Sequence, residues 1–233
     1  MSAITCKVKK LIQVNNHIYH IELTTEQAFS FQAGQYLQVI MGEKDKRPFS
    51  IASAPHQPNI ELHIGATKEN SYAMQVVDVL KDKGQIQAEV GLGQAQLRTD
   101  STRPVLLIAG GTGFSYAQSI ARHLEHTNSQ REVKLYWGGK TNQSMYADEQ
   151  MLQWDKNNSN FSYIPVIEQP YDNWQGKTGY VHLAAMDDID NLGDYDIYVA
   201  GHFDMVKIVR DDFVAKGALV DHMFADAFAY IKW

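Results

Sequence analysis

The sequence predicts two domains of different class: an antiparallel β-barrel or sandwich over residues 1–100, and an α/β domain on a parallel sheet over residues 101–233. Two observations carry this. Apolar residues fall first in short runs rich in β-branched and aromatic side chains; after Arg103-Pro104 strand-like and helix-like segments alternate. The size agrees, because 233 residues exceed one small domain and a 44% apolar share can build a core in each half.

From Ile4 the candidate strands are Ile18 to Ile21, Gln35 to Ile40, Phe49 to Ile51 and Ile60 to Ile64, several alternating with polar residues as half-buried strands do. Gly34, Gly42, Pro55 and Pro58 punctuate them. One helix interrupts the set, opened by Asn70 or Ser71 as N-cap, with Met74, Val77 and Leu80 at helical spacing. The boundary falls near residues 99–103. Val105 to Ala109 is a continuous apolar run that suits a strand buried on both faces. A helix through Ile120 and Leu124 follows. Strands are then expected at Val133 to Trp137, Phe161 to Val166 and Asp196 to Ala200, with helices around Met145 to Trp154 and Val181 to Met186. Trp233 is expected to be a frayed tail.

Composition excludes several functions. A net charge of −6 without a Lys/Arg cluster argues against nucleic-acid binding. The densest charge run, Glu43 to Arg47, alternates in sign and reads as a solvated turn. The lone Cys6 permits no internal disulfide and no Cys-based zinc or iron–sulfur centre, as in a protein of the reducing cytoplasm. His17/His20 and His123/His126 stand three apart, but without carboxylate or cysteine partners to complete a ligand set no metal is expected. Residues 1–20 lack an apolar leader segment and no run is long enough to span a bilayer, so neither secretion nor membrane insertion is expected.

Two Gly-x-Gly doublets differ in context. Gly110-Gly111-Thr112-Gly113 lies between a buried strand and a helix, where backbone N–H groups and a helix N-terminus can face a diphosphate. Tyr116 stands where the Rossmann fingerprint has its third glycine, so the loop is a relative of that fingerprint. Gly91-Leu92-Gly93 has no helix after it and reads as a hairpin turn. Gly138-Gly139 and Gly201 mark two further strand ends, and ligands of open α/β sheets gather at such ends. Each glycine alone could simply close a turn.

Arg47-Pro48-Phe49-Ser50, followed by Gly110 to Gly113, resembles the ferredoxin-NADP reductase superfamily. Phe31 to Tyr36, Lys46 to Ser53, Glu61 to Gly65, Ala109 to Tyr116, Tyr136 to Gly139 and Asp226-Ala227-Phe228 extend the resemblance to bacterial NAD(P)H-flavin reductases over essentially the whole chain. The resemblance implies a flavin-side β-barrel and an NAD(P)-side α/β domain. It implies a flavin lined by Arg47, Pro48, Phe49, Ser50, His63, Ile64 and Gly65, with the Ser50 hydroxyl beside N5, the atom that accepts the hydride. Gly110, Gly111, Thr112, Gly113, Phe114, Gly138 and Gly201 would hold NADH or NADPH. Pro48 lacks an N–H and suits a sheet edge.

The flavin, whether riboflavin, FMN or FAD, is expected as a loosely bound substrate released reduced. Phe49 stands where flavin-retaining relatives commonly have a tyrosine. An alternative is a reductase whose bound flavin passes electrons to a partner protein such as an oxygenase; another is a non-catalytic dinucleotide-binding module. A flavin-dependent oxygenase or luciferase is the implied receiver of reduced flavin, and a monomer the expected state.

Overall fold

The computed structural model describes residues 3–67, 70–171 and 173–231; Trp233 lies outside the described residues. The chain divides into two compact units. One holds the chain through Leu97 together with Gln118–Thr127; the other holds Arg98–Ala117 and the chain from Asn128 onward.

The first unit is a six-stranded antiparallel sheet of β1 (Ile4–Gln13), β2 (Ile18–Thr24), β3 (Tyr36–Gly42), β4 (Asp45–Ser50), β5 (Ile60–Gly65) and β6 (Gln85–Leu92), in the order β4-β3-β6-β1-β2-β5. β4 is an outer strand, the place in a sheet where a proline such as Pro48 is tolerated. The chain leaving β4 crosses to the other outer strand. Ala52 N–H donates to the Glu61 carbonyl at 2.7 Å, and Glu61 N–H donates to the Ser53 hydroxyl at 3.1 Å, which curls the sheet toward a barrel. Leu37, Val39, Ile60, Leu62 and Ile64 are among its fully buried side chains. Helix α1 (Ser71–Lys83) starts at Asn70, whose side chain accepts from Ala73 N–H, and ends at left-handed Gly84.

The charge run does not stay in solvent. Only Glu43 and Lys44 turn; Arg47 is buried on β4 because Asp45, two residues away on the same face, neutralises it. The glycine doublet Gly91/Gly93 is no hairpin either. It ends β6 and leads into a loop, and Gly91 adopts a positive φ of 81° where a Cβ would stand 2.7 Å from the Ser30 carbonyl oxygen.

A single carboxylate organises this unit. Glu61 on β5 receives His20 Nε2 at 3.1 Å, His63 Nε2 at 2.9 Å, Gln118 Nε2 at 3.0 Å and Arg122 at 2.7 Å. Gln118 and Arg122 belong to helix α2 (Phe114–His126). Burial would raise the Glu61 pKa, but the His20 and His63 contacts and the Arg122 charge overcome it and hold the carboxyl well below its usual range. Ser119, on the same face of α2, donates to the Ser53 carbonyl at 2.7 Å.

The second unit is a six-stranded parallel sheet: β7 (Val105–Gly110), β8 (Val133–Gly139), β9 (Phe161–Ile167), β10 (Lys177–Thr178), β11 (Asp196–Ala200) and β12 (Met223–Phe224). Its order is β10-β9-β8-β7-β11-β12. Helices α3 (Asp148–Asn157), α4 (Val181–Asp188) and α5 (Phe203–Ala215) complete it. α3 starts three residues later than the apolar pattern suggests, because Asn142–Ser144 form a 3-10 turn before it. α5 has no counterpart in the sequence reading. Its exposed Phe203 and Ile208 blur the amphipathic period that Val206, Val209 and Phe213 set. Among the described residues no helix is long and apolar enough to cross a membrane.

Glu61→Gln is expected to cost about 3 kcal/mol at neutral pH, because it strips the charge that satisfies Arg122 and the two imidazoles. The native carboxyl titrates below the unfolded one, near ~4.3. Its stabilisation is therefore full above that pH and is lost as pH falls toward the native value. Urea denaturation of both proteins should show a gap that is constant at neutral pH and shrinks in acid.

Candidate functional site

The parallel sheet starts at β7 and then grows in both directions, through β8 on one side and β11 on the other. Such a reversal opens a crevice beyond the carboxyl ends of the two strands that flank it. β7 ends at Gly110 and β11 is followed by Gly201, and a 3-10 turn, Gly111–Gly113, runs from β7 directly into α2. The expected loop thus lies at a helix N-terminus, where unpaired N–H groups and the helix dipole favour an anion.

Each glycine has its own reason. Gly111 has a φ of +53° and a Cβ there would meet nothing within 4 Å, so the space a side chain would take is open. At Gly113 a Cβ would stand 2.3 Å from the Ala200 carbonyl oxygen; glycine here lets the loop pack on β11. At Gly110 and Gly201 a Cβ would lie 2.3 and 2.6 Å from Met205 Sδ, and at Gly138 a Cβ would lie 3.0 Å from that of Val181. Met205 and Val181, rather than a ligand alone, account for those three small residues. Phe114 is wholly buried and stacks on Trp137 at 4.1 Å, and its backbone N–H closes the turn onto the Gly111 and Thr112 carbonyls, so this residue shapes the loop instead of meeting a ligand with its ring or N–H. Ser115 Oγ, in the first turn of α2, is buried without a hydrogen-bond partner among the described residues. A left-handed glycine beside open space and an orphaned hydroxyl fit a loop that receives phosphate oxygens.

On the first unit the expected residues occupy β4 and β5. Arg47 Nε and one terminal nitrogen clamp Asp45 at 2.9 and 2.6 Å. That terminal nitrogen also reaches Gln75 at 2.7 Å, the other donates to the Tyr72 carbonyl, and the guanidinium lies 4.4 Å from the centre of the Tyr72 ring. Four of its five N–H groups are thereby taken. His63 is buried with its Nε2 on Glu61; burial, working against the Glu61 carboxylate, pulls its pKa down and keeps the ring neutral. Ile64 is a core side chain. Ser50 and Phe49 are half-buried, Pro48 is exposed and Gly65 is half-buried. The Ser50 hydroxyl has no hydrogen bond to any described residue. A hydroxyl without a protein partner and a partly exposed ring beside an exposed proline fit a planar ligand there.

His20 does have a carboxylate partner, supplied across the sheet rather than along the sequence. His20, Glu61 and His63 bring ligand atoms within 4.8 Å of one another. Both Glu61 oxygens are already committed to Gln118 and Arg122 donors, and the Arg122 charge opposes a cation, so the cluster is a hydrogen-bond hub. The sequence reading missed the partners Gln118 and Arg122, though Ser115, Gln118, Ser119 and Arg122 form a polar stripe at helical spacing on an otherwise buried helix.

Known proteins resemble this chain throughout. Residues 3–137 match the family described as an FAD-binding domain, and residues 107–211 match the oxidoreductase NAD-binding domain. A protein of Vibrio harveyi named NAD(P)H-flavin reductase is 45% identical over 235 residues, covering 98% of this chain and 99% of its own. One of the same name from Aliivibrio fischeri is also 45% identical, with the same coverage. Among solved structures, the ferredoxin reductase in carbazole 1,9a-dioxygenase superposes with a TM-score of 0.83 at 23% identity, over 97% of this chain and 69% of that one.

The glycine contacts separate two substitutions. Gly113→Ala forces a Cβ against backbone and should cost about 3 kcal/mol, whereas Gly201→Ala meets only the movable end of Met205 and should cost about 1 kcal/mol. Urea denaturation of the two variants should give that ranking; equal losses would contradict it.

Proposed function

Because the chain belongs to the NAD(P)H-flavin reductase family, we propose that free flavin is its substrate: riboflavin, FMN or FAD binds loosely, receives a hydride from NADH or NADPH, and leaves reduced. NAD(P)H-dependent flavin reduction is the activity. The observation that carries the nicotinamide side is the reversal of strand order at β7, with glycine at both flanking strand ends and the N-terminus of α2 beside them. In this reading Gly110, Gly111, Thr112 and Gly113 offer backbone to the diphosphate and Phe114 closes the turn that presents them, while Gly138 and Gly201 keep the neighbouring strand ends low.

The flavin is assigned to Arg47, Pro48, Phe49, Ser50, His63, Ile64 and Gly65. Their parts differ. Phe49 supplies an apolar ring face, and the Ser50 hydroxyl can accept a hydrogen bond from N5 after reduction and donate one before it. His63 and Ile64 act through the shape of β5, since their side chains are already engaged. Arg47 has four of its N–H groups committed within the protein, which leaves little to grip a flavin phosphate. Weak hold on the phosphate is what a substrate needs and a resident group does not.

The reaction moves two electrons and one proton as a hydride from the nicotinamide to flavin N5, leaving the nicotinamide oxidised. The protein positions two flat rings and excludes water; the rings carry the electronics. No strong acid or base is required. Released reduced flavin would serve a flavin-dependent oxygenase or a luciferase, in the reducing cytoplasm where Cys6 stays a thiol.

Ser50→Ala should slow single-turnover reduction roughly tenfold or more, the scale of a lost transition-state hydrogen bond. Flavin affinity should change by less than about threefold. Stopped-flow absorbance and a flavin-binding titration separate the two, and a collapse of affinity with an intact rate would reduce Ser50 to a positioning group.

A further inference from the structure

We infer that Trp137 is the positioning residue that aims the dinucleotide-binding loop, by holding the Gly111 carbonyl with its indole N–H. The inference rests on the reading of Gly110 to Gly113 as that loop and deepens it.

Trp137 lies on β8 opposite Ala109, the last residue but one of β7, and its neighbour Gly138 pairs with Gly110. The side chain is fully buried, and a buried indole N–H needs an acceptor. It donates to the Gly111 carbonyl at 2.9 Å. Rings fix the indole in place. Phe114 stacks on it at 4.1 Å with planes 17° apart, and Tyr146 meets it edge-on at 5.1 Å while also meeting Phe114 edge-on at 5.9 Å.

The consequence follows from peptide geometry. In a planar trans peptide the carbonyl of Gly111 and the N–H of Thr112 point in opposite directions. Holding the carbonyl against Trp137 therefore turns the Thr112 N–H away from the tryptophan. The 3-10 turn contributes as well, since Phe114 N–H also donates to the Gly111 carbonyl. That bond is local and moves with the loop, whereas the indole is anchored on the sheet. Gly111 needs such an anchor because its left-handed φ of +53° is one that glycine adopts without steric cost but does not enforce.

The test is Trp137→Phe, which keeps an aromatic ring against Phe114 and removes the donor. The KM for NADH should rise roughly three- to tenfold, the effect of one hydrogen bond on loop geometry. Both kcat and the KM for riboflavin should stay within about twofold of wild type. A purely structural role would lower the unfolding temperature and leave that split absent. Should the phenylalanine variant not fold, the benzothiophene isostere of tryptophan placed at 137 keeps both rings and lacks only the N–H, and the same split is expected. Amide hydrogen exchange of wild type with and without NADH separates the two readings. Protection of residues 111–114 by NADH together with an unchanged NADH KM in the variant overturns the role of Trp137 alone; no protection overturns the loop reading and this inference together.

Discussion

The chain enters its parallel sheet at an interior strand, and the second unit follows from that constraint. With β7 laid down first, β8 and β11 must add on opposite sides, and the ends of β7 and β11 are left flanking a crevice that no crossover covers. Backbone must approach backbone there, which is why Gly113 packs against the Ala200 carbonyl with no room for a Cβ. The same crowding gives Met205 its place over Gly110 and Gly201. Only Gly111 is left facing open space, and its carbonyl is tied to a fully buried tryptophan. Such a floor suits the diphosphate assigned to it above.

The first unit solves a different problem. Its outer strands must be joined, and the chain after Ser50 does so through Ala52 and Ser53, which bond to Glu61 of β5. This places a partly buried acid, Glu61, where uncompensated charge would be costly, and four donors from β2, β5 and α2 satisfy it. Among the described residues the Ser50 hydroxyl, immediately before this junction, has no hydrogen-bond partner. A hydroxyl in that position suits the hydride delivery to flavin proposed above.

Much of this was legible in the residues. The apolar run Val105 to Ala109 bounded by glycine showed a doubly buried strand, and Arg47 to Ser50 together with Gly110 to Gly113 carried the resemblance to flavin reductases. Of the two N-cap candidates Asn70 and Ser71, it is Asn70 that caps α1. What stayed hidden depends on contacts distant in sequence. Glu61 and Arg122 are 61 residues apart, so a histidine on β2 seemed to lack a carboxylate that folding supplies. Trp137 reads as a strand residue in a continuous pattern, and nothing in the sequence says where its N–H points. The glycines at 110, 138 and 201 suggested ligand approach, yet side chains from α4 and α5 already explain them. α5 itself was hidden by apolar residues on its outer face.

The claim at the centre is that flavin passes through this protein instead of residing in it. Anaerobic mixing of the purified chain with NADH and riboflavin in large molar excess over protein, followed by the loss of the flavin's visible absorbance, tests it directly. Reduction of the entire riboflavin pool, at a rate that saturates with riboflavin concentration, is the predicted result. Bleaching that halts at one flavin per protein molecule would contradict it.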